Sequence, residues 1–346
     1  MAHEGARRRP ASGVRWLAPL SFVILAAGLW LIGGCSSGDD SSGGPSEVPI
    51  SSSGLRVEVG ARPRGVAIDS ARGRLFTANE GEGTVSIVDL KTLQLITTVK
   101  AGTAPSAVAV NEKTGRAYVA NASSDAVTVI DEDTNTVVAT VAVGGGPLDL
   151  AVDAEANLVY VANSRTNNIS ILDGPTNTVT GTLTGVQEPR ALALRKDKGI
   201  LYVAAGGTNT LDALDVATNK VVSSVPVGGR PGALGIDAAR ERAYVTNLEE
   251  GSVAIIDLET EAVAATVAVG QAPQAVAVDV TDNRVYIANF FSDTLSVIDG
   301  ASGRATEVKV ESGSRPIDLT LAGDRLYVAN DGTSDVRIFG LQYLPK

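Results

Sequence analysis

The chain is 346 residues long, carries a formal net charge of −10, and contains one His, one Cys and one Met. These residues, His3, Cys35 and Met1, all lie within the first 35 positions, so the remainder offers no imidazole and no thiol. Haem ligation, Cys or His zinc sites, Cys nucleophiles, His-based triads and disulfides are therefore excluded there. The acidic balance also disfavours nucleic acid as a partner, because nucleic-acid binders usually carry a basic footprint.

The N-terminal segment, residues 1–34, has the pattern of an export signal. Basic residues at positions 7–9 precede an apolar stretch, residues 14–34, that approaches the length of a membrane-spanning helix. No basic flank follows this stretch. The sequence Ile32-Gly33-Gly34-Cys35 resembles the bacterial lipobox, which implies cleavage before Cys35 and acylation of that residue. We therefore expect an exported protein, lipid-anchored to the cell envelope, and to the outer membrane if the organism is Gram-negative.

Residues 35–54 comprise the lipidated Cys35 and a linker rich in Ser and Gly, with prolines at positions 45 and 49. A segment of this composition cannot bury a core and behaves as a flexible coil. It would hold the following domain away from the membrane surface.

An internal repeat dominates residues 55–346. A proline recurs at a spacing of 42 residues five times and then 43, and an aromatic residue recurs in the same register. A full copy, such as the second, contains four short runs rich in β-branched residues, separated by turn residues, which predicts four strands. Seven such copies predict an all-β, seven-bladed propeller. The prolines are Pro63, Pro105, Pro147, Pro189, Pro231, Pro273 and Pro316, and the aromatics are Phe76, Tyr118, Tyr160, Tyr202, Tyr244, Tyr286 and Tyr327.

The recurring tetrapeptides Tyr-Val-Ala-Asn (118–121, 160–163, 327–330) and Tyr-Val-Thr-Asn (244–247) resemble the YVTN-type β-propeller repeat family. The resemblance implies the fold for about residues 59–340. It implies less about function, since similar propellers occur as surface-layer domains, as exported binding scaffolds and beside redox enzymes, and more distant relatives include lactone hydrolases.

Two features of the repeat predict packing and closure. The last copy lacks a fourth strand, and the segment 55–60 matches the fourth-strand register, so the N-terminal strand should close the ring. In the fourth copy Ala205 replaces the repeated Asn and residues 211–214 replace the usual apolar third strand, so that blade should be the least well packed. The repeated Tyr residues are interpreted as blade packing, and the repeated Asn residues as turn formers.

Arginines beside the repeated prolines are the candidate ligand-binding residues. Loops on a rigid scaffold are the usual place for function, and the guanidinium fork matches carboxylate and phosphate groups. The alternative is that each arginine pairs with a carboxylate of a neighbouring blade, such as Glu188, Asp149 or Asp318. The candidates are Arg62, Arg64, Arg190, Arg230 and Arg315.

A second candidate is the pair Phe290 and Phe291, which stands in the loop between the second and third strands of copy six. Two adjacent phenylalanines in an exposed turn mark a partner surface, unless one is tucked against its own blade.

Two functions remain open on the sequence. The first is a monomeric binding or protein-interaction scaffold at the cell envelope, with an envelope protein, a peptide or an acidic polysaccharide as partner. The second is a lactonase-like hydrolase that would use Asp, Glu, Asn, Arg and a divalent metal. The first is favoured, with no catalytic residue, cofactor or metal site expected.

Overall fold

The computed structural model describes residues 54–345, which form seven four-stranded antiparallel sheets arranged as the blades of a propeller. The predicted fold class is confirmed. Cys35, the signal segment and most of the linker lie outside the described residues. In the part described, no helix is both long enough and apolar enough to cross a membrane.

The strands follow one another from the inner strand of each blade to its outer strand. Blades one and two contain β2 (Pro63–Asp69), β3 (Arg74–Asn79), β4 (Thr84–Asp89), β5 (Leu95–Lys100), β6 (Pro105–Asn111), β7 (Arg116–Asn121), β8 (Ala126–Asp131) and β9 (Thr136–Ala142). Blades three and four contain β10 (Pro147–Asp153), β11 (Leu158–Asn163), β12 (Asn168–Asp173), β13 (Thr178–Leu183), β14 (Pro189–Arg195), β15 (Ile200–Ala205), β16 (Thr210–Asp215) and β17 (Lys220–Pro226), with a 3-10 turn at Lys196–Lys198. Blades five and six contain β18 (Pro231–Asp237), β19 (Arg242–Asn247), β20 (Ser252–Asp257), β21 (Ala262–Ala268), β22 (Pro273–Asp279), β23 (Arg284–Asn289), β24 (Thr294–Asp299) and β25 (Ala305–Lys309). Blade seven contains β26 (Pro316–Ala322), β27 (Arg325–Asn330), β28 (Asp335–Gly340) and, as its outer strand, β1 (Leu55–Glu58), and a 3-10 turn follows β28 at Leu341–Tyr343.

The N-terminal strand closes the ring as the sequence predicted. Strand β1 pairs antiparallel with β28, with Leu55 opposite Ile338 and Val57 opposite Val336. Val57 is 5% exposed and belongs to a core cluster shared by the first and last blades. The chain therefore fastens its own last blade with its first strand.

The repeated aromatic residues form the core between blades, which confirms their interpretation as packing residues. Each lies in the second strand of its blade and is buried, from Phe76 at 0% exposed to Tyr202 at 8%. The aromatic of one blade clusters with the aliphatic side chains of the next, as Tyr118 of blade two does with Leu150 and Val159 of blade three. The fold is therefore held by seven similar junctions between blades.

The repeated asparagines do more than form turns. Asn121 is fully buried at the end of β7, where its Nδ2 donates to Thr128 Oγ1 at 3.0 Å and its Oδ1 accepts from the Gly102 backbone N–H at 2.8 Å. A Cβ on Gly102 would lie 2.7 Å from the Asn121 Cγ, so only glycine fits there. The asparagine thus ties the third strand of its own blade to the loop that arrives from the preceding blade, and the turn-former interpretation missed these contacts.

In the fourth blade a different pair fills this position. Ala205 takes the place of the asparagine and Val186 takes the place of the glycine, and both are fully buried. The apolar side chains of the third strand are also buried, with Leu211 2% exposed and Leu214 0% exposed. A small cavity of about 10 Å³ lies between Tyr202, Leu211 and residues of blade five. The apolar pair therefore fills the position of the asparagine and glycine, while the cavity beside Tyr202, the most exposed of the seven repeated aromatics, agrees with the looser packing predicted for this blade.

Candidate functional site: the loop face and axial cavity

One end of the propeller, here called the loop face, carries the loops that lead into the inner strands and the loops between second and third strands. Hydrogen bonds join the two sets across each blade junction. The Gly146 N–H donates to Asp125 Oδ1 at 2.9 Å, and the Arg230 N–H donates to Asn209 Oδ1 at 2.9 Å. Every residue that precedes a repeated proline has a positive φ, between 48° and 65°. The loop face is therefore a rigid ring.

Each inner strand also contains a β-bulge that begins at its proline. In blade one Pro63 lies opposite Asn79 and Gly65 opposite Ala78, so Arg64 is an extra residue in the ladder. All seven inner strands show this register shift. Bulges re-aim side chains and are common beside functional sites. Here the residue after each proline lines a cavity of about 520 Å³ on the propeller axis, and these residues are Arg64, Ser106, Leu148, Arg190, Gly232, Gln274 and Ile317.

The five predicted arginines fall into two groups. Arg64 and Arg190 follow a proline and line the axial cavity. Arg62, Arg230 and Arg315 precede a proline and lie in the loops around it. The structure therefore does not bring all five together.

Carboxylates of the loop face balance part of this positive charge. Glu80 Oε2 lies 2.9 Å from Arg62 Nη2 and 2.7 Å from Arg64 Nε. Asp331 of blade seven lies 3.4 Å from Arg62, which is a pair between blades. Arg190 pairs with Glu188 at 3.0 Å.

The other two candidates have no such pair. Over residues 54–345, the guanidinium groups of Arg230 and Arg315 have no carboxylate within 4 Å, although the backbone N–H of Arg315 donates to Asp293 Oδ1 at 2.8 Å. The inter-blade alternative thus describes Arg62 and, at 3.7 Å, Arg64, both with Asp331. Of the carboxylates that the sequence suggested, Glu188 pairs with Arg190, two residues along the same chain segment.

Asp149 and Asp318 line the axial cavity and bridge between blades, a role the sequence did not reveal. Asp149 Oδ2 accepts from the Leu192 N–H of blade four at 2.8 Å, and Asp318 Oδ2 accepts from the Val66 N–H of blade one at 2.8 Å. Burial in the channel wall raises the pKa of Asp149 to about 6 and the pKa of Asp318 to about 7. The sequence did contain a signal for these two residues, since only copies three and seven have Asp two residues after the repeated proline.

The predicted phenylalanine pair lies on the loop face close to Arg315, and these three residues are here called the phenylalanine step. Phe290 and Phe291 meet edge to face, with ring centroids 5.1 Å apart. Phe290 packs against the core cluster that contains Ile317 and Tyr327, whereas Phe291 is 69% exposed. The Arg315 guanidinium carbon lies 6.0 Å from the Phe290 centroid. One phenylalanine is thus an anchor and the other is available for contact.

Among the described residues, no three His, Cys, Asp or Glu side chains lie close enough together to hold a metal ion.

The sequence model of YNCE-like β-propellers matches residues 98–335. Among solved structures, the Kuenenia stuttgartiensis hydrazine synthase is similar in fold, with a TM-score of 0.73 and 18% sequence identity, over 86% of this chain and 98% of that chain. At this identity the likeness concerns the fold alone. No curated protein sequence matches significantly.

Proposed function

The chain belongs to the YNCE-like β-propeller family, and from this premise we propose that it is a protein-interaction scaffold held at the cell envelope by a lipid anchor. The propeller fold supports a binding or scaffolding role in general, because it presents loops on a rigid frame. In this role the phenylalanine step of the loop face meets the partner, and the acylated Cys35 holds the protein at the membrane.

The exposed Phe291 carries the proposal. Large aromatic and arginine side chains are the types that dominate binding energy at protein interfaces, and here both occur in one step of the loop face. Phe290 holds the step against the core, so little side-chain freedom is lost on binding. The Arg315 guanidinium has no carboxylate within 4 Å in the described range, so a partner that presents an acidic group beside an apolar one fits this surface.

Site-specific crosslinking tests the surface. A photoreactive residue at position 291 of the anchored chain should crosslink to one defined protein in cells, and Arg315→Gln should weaken the crosslink. The control position is Val222, which is 56% exposed on the outer strand of blade four. Equal crosslinking from both positions, or capture of a polysaccharide instead of a protein at 291, would rule out the proposed interface.

The anchor rests on Cys35, which lies outside the described residues. Several acyl chains hold a protein firmly, since each buried methylene contributes about 0.8 kcal/mol. Cys35→Ser should abolish incorporation of labelled fatty acid and release the protein from the membrane fraction. Unchanged labelling and attachment would refute the anchor without bearing on the loop face. No observation on the described residues favours the lactonase-like alternative.

A further inference from the structure

The axial cavity contains two similar charged sectors. In the first, Asp318 of blade seven adjoins Arg64 of blade one, and in the second, Asp149 of blade three adjoins Arg190 of blade four. In each sector the aspartate binds a backbone N–H of the blade that supplies the arginine, at Val66 or Leu192. The two arginine blades are three steps apart in a ring of seven, so the sectors face each other across the axis.

Each sector contains an aspartate without a cation, and one sector also contains an arginine with an unbonded donor. Asp149 and Asp318 are half-buried in the cavity wall and accept hydrogen bonds from backbone N–H groups, but neither has a cation within 4 Å among residues 54–345. A partly buried carboxylate without a cation is costly. The elevated pKa values of Asp149 and Asp318 reflect that cost. Arg190 Nε is buried and has no hydrogen-bond acceptor. The cavity thus contains two aspartates without a cation, and an arginine that keeps its Nε donor unbonded beside its ion pair with Glu188.

From this arrangement we infer that the axial cavity binds a small zwitterion, with an ammonium and a carboxylate group, of the amino-acid or short-peptide class. The ammonium pairs with Asp149 or Asp318, and the carboxylate pairs with the Arg190 guanidinium, which lines the cavity. A dianion would be repelled by the aspartates and a dication by the arginines. The volume of about 520 Å³ lies in the range of small-molecule pockets, and Leu148, Leu234 and Ile317 give the walls apolar surface.

This site is independent of the phenylalanine step. Phe290, Phe291 and Arg315 are absent from the cavity lining. Failure of the crosslinking experiment would therefore leave this inference standing, and its own failure would leave the scaffold proposal standing.

Three matched peptides test the ligand class by titration calorimetry on the folded domain. Triglycine carries both charges, N-acetyltriglycine only the carboxylate, and triglycinamide only the ammonium. Triglycine should bind, and each blocked peptide should bind about 10- to 100-fold more weakly, because each lacks one charge-assisted hydrogen bond. Equal binding of the three, or no binding of triglycine at millimolar concentration, overturns the inference.

Variants test which residues bind the carboxylate of the ligand and which bind its ammonium group. Arg190→Gln should weaken triglycine about 10-fold or more and leave triglycinamide unchanged, whereas Arg230→Gln, outside the cavity, should change neither. Asp149→Asn together with Asp318→Asn should weaken triglycine and spare N-acetyltriglycine, with a melting curve as the folding control. An equal effect of Arg190→Gln and Arg230→Gln contradicts the site even if the aspartate variant unfolds.

Proton release on binding distinguishes ligand contact from a purely structural role of Asp149 and Asp318. The titratable side chains that line the cavity are Arg64, Glu80, Asp149, Arg190 and Asp318. At pH 7 an arriving ammonium favours the ionised form of the aspartates, so binding should release protons. The binding enthalpy of triglycine should then differ between two buffers of different ionisation enthalpy. Identical enthalpies at pH 7 contradict ammonium binding at these aspartates.

Discussion

The Oδ2 atom of Asp318 accepts a hydrogen bond from the backbone N–H of Val66 at 2.8 Å, which ties the last blade to the first at the propeller axis. The pKa of Asp318 is raised from 3.8 to about 7, chiefly because burial disfavours the ionised form. Between about pH 4 and pH 7, Asp318 is therefore largely protonated in the folded protein and ionised in the unfolded chain. The stability from this group is complete below about pH 4 and is lost as the pH rises to about 7.

We expect Asp318→Asn to flatten the decline in melting temperature between pH 4 and pH 8, because the titrating group is gone. Melting curves of both proteins across this range measure the effect. Asp282→Asn, at an exposed position, is the matched control and should keep the wild-type slope. A slope unchanged in Asp318→Asn would contradict the assignment.

Glu132 should produce a similar effect at higher pH. Its side chain is fully buried, neither carboxylate oxygen has a hydrogen-bond partner, and burial beside Asp69 raises its pKa from 4.5 to about 8. Stability from the protonated form is therefore lost as the pH rises from about 4.5 through about 8. Glu132→Gln should melt several degrees above the wild type at pH 9 and close to it at pH 4. The control Glu259→Gln, at an exposed position, should show no such difference. An increase in the melting temperature of Glu132→Gln confined to low pH would contradict the raised pKa of Glu132.

The Asn121–Gly102 contact should show strong coupling. Asn121→Ala removes buried hydrogen bonds and should cost about 2–3 kcal/mol of unfolding free energy. Gly102→Val alone should also destabilise, because its Cβ would lie 2.7 Å from the Asn121 Cγ. The double variant recreates the Ala205–Val186 pair of blade four, so its loss of unfolding free energy should be smaller than the sum of the losses of the two single variants. Denaturant titrations of the four proteins measure the coupling, and strict additivity would show that the two positions act separately.

Ring closure is tested by deletion of residues 55–60. This removes β1 and the buried Val57, and it exposes the edge of β28, so the melting temperature should fall by many degrees. Deletion of residues 40–53, which lie outside the described part, should leave it unchanged. Similar melting temperatures for the two deletions would mean that closure contributes little.

The sequence predicted the blade number, the strand order and the closing strand because each follows from a repeat with a fixed period. It did not separate Arg64 from Arg62, because the bulge after Pro63 depends on strand register, which the repeat leaves undetermined. Nor did it identify the partner of Arg62, since several carboxylates lie on the same face and only side-chain placement selects Glu80 and Asp331. Asp149 and Asp318 were noticed as possible partners of arginine, but their bonds to backbone N–H groups of the next blade needed the structure.

The position of β1 also has a mechanical consequence. The chain that precedes Gly54 joins the propeller through a strand whose paired residues run from Leu55 to Glu58 alongside β28. A tension applied through that chain along the strand axis would load those four residue pairs together rather than peel them one at a time. Because the force reaches the β1–β28 pairing before any other strand pair, this seam of blade seven yields first, and the six other blades keep all four of their strands.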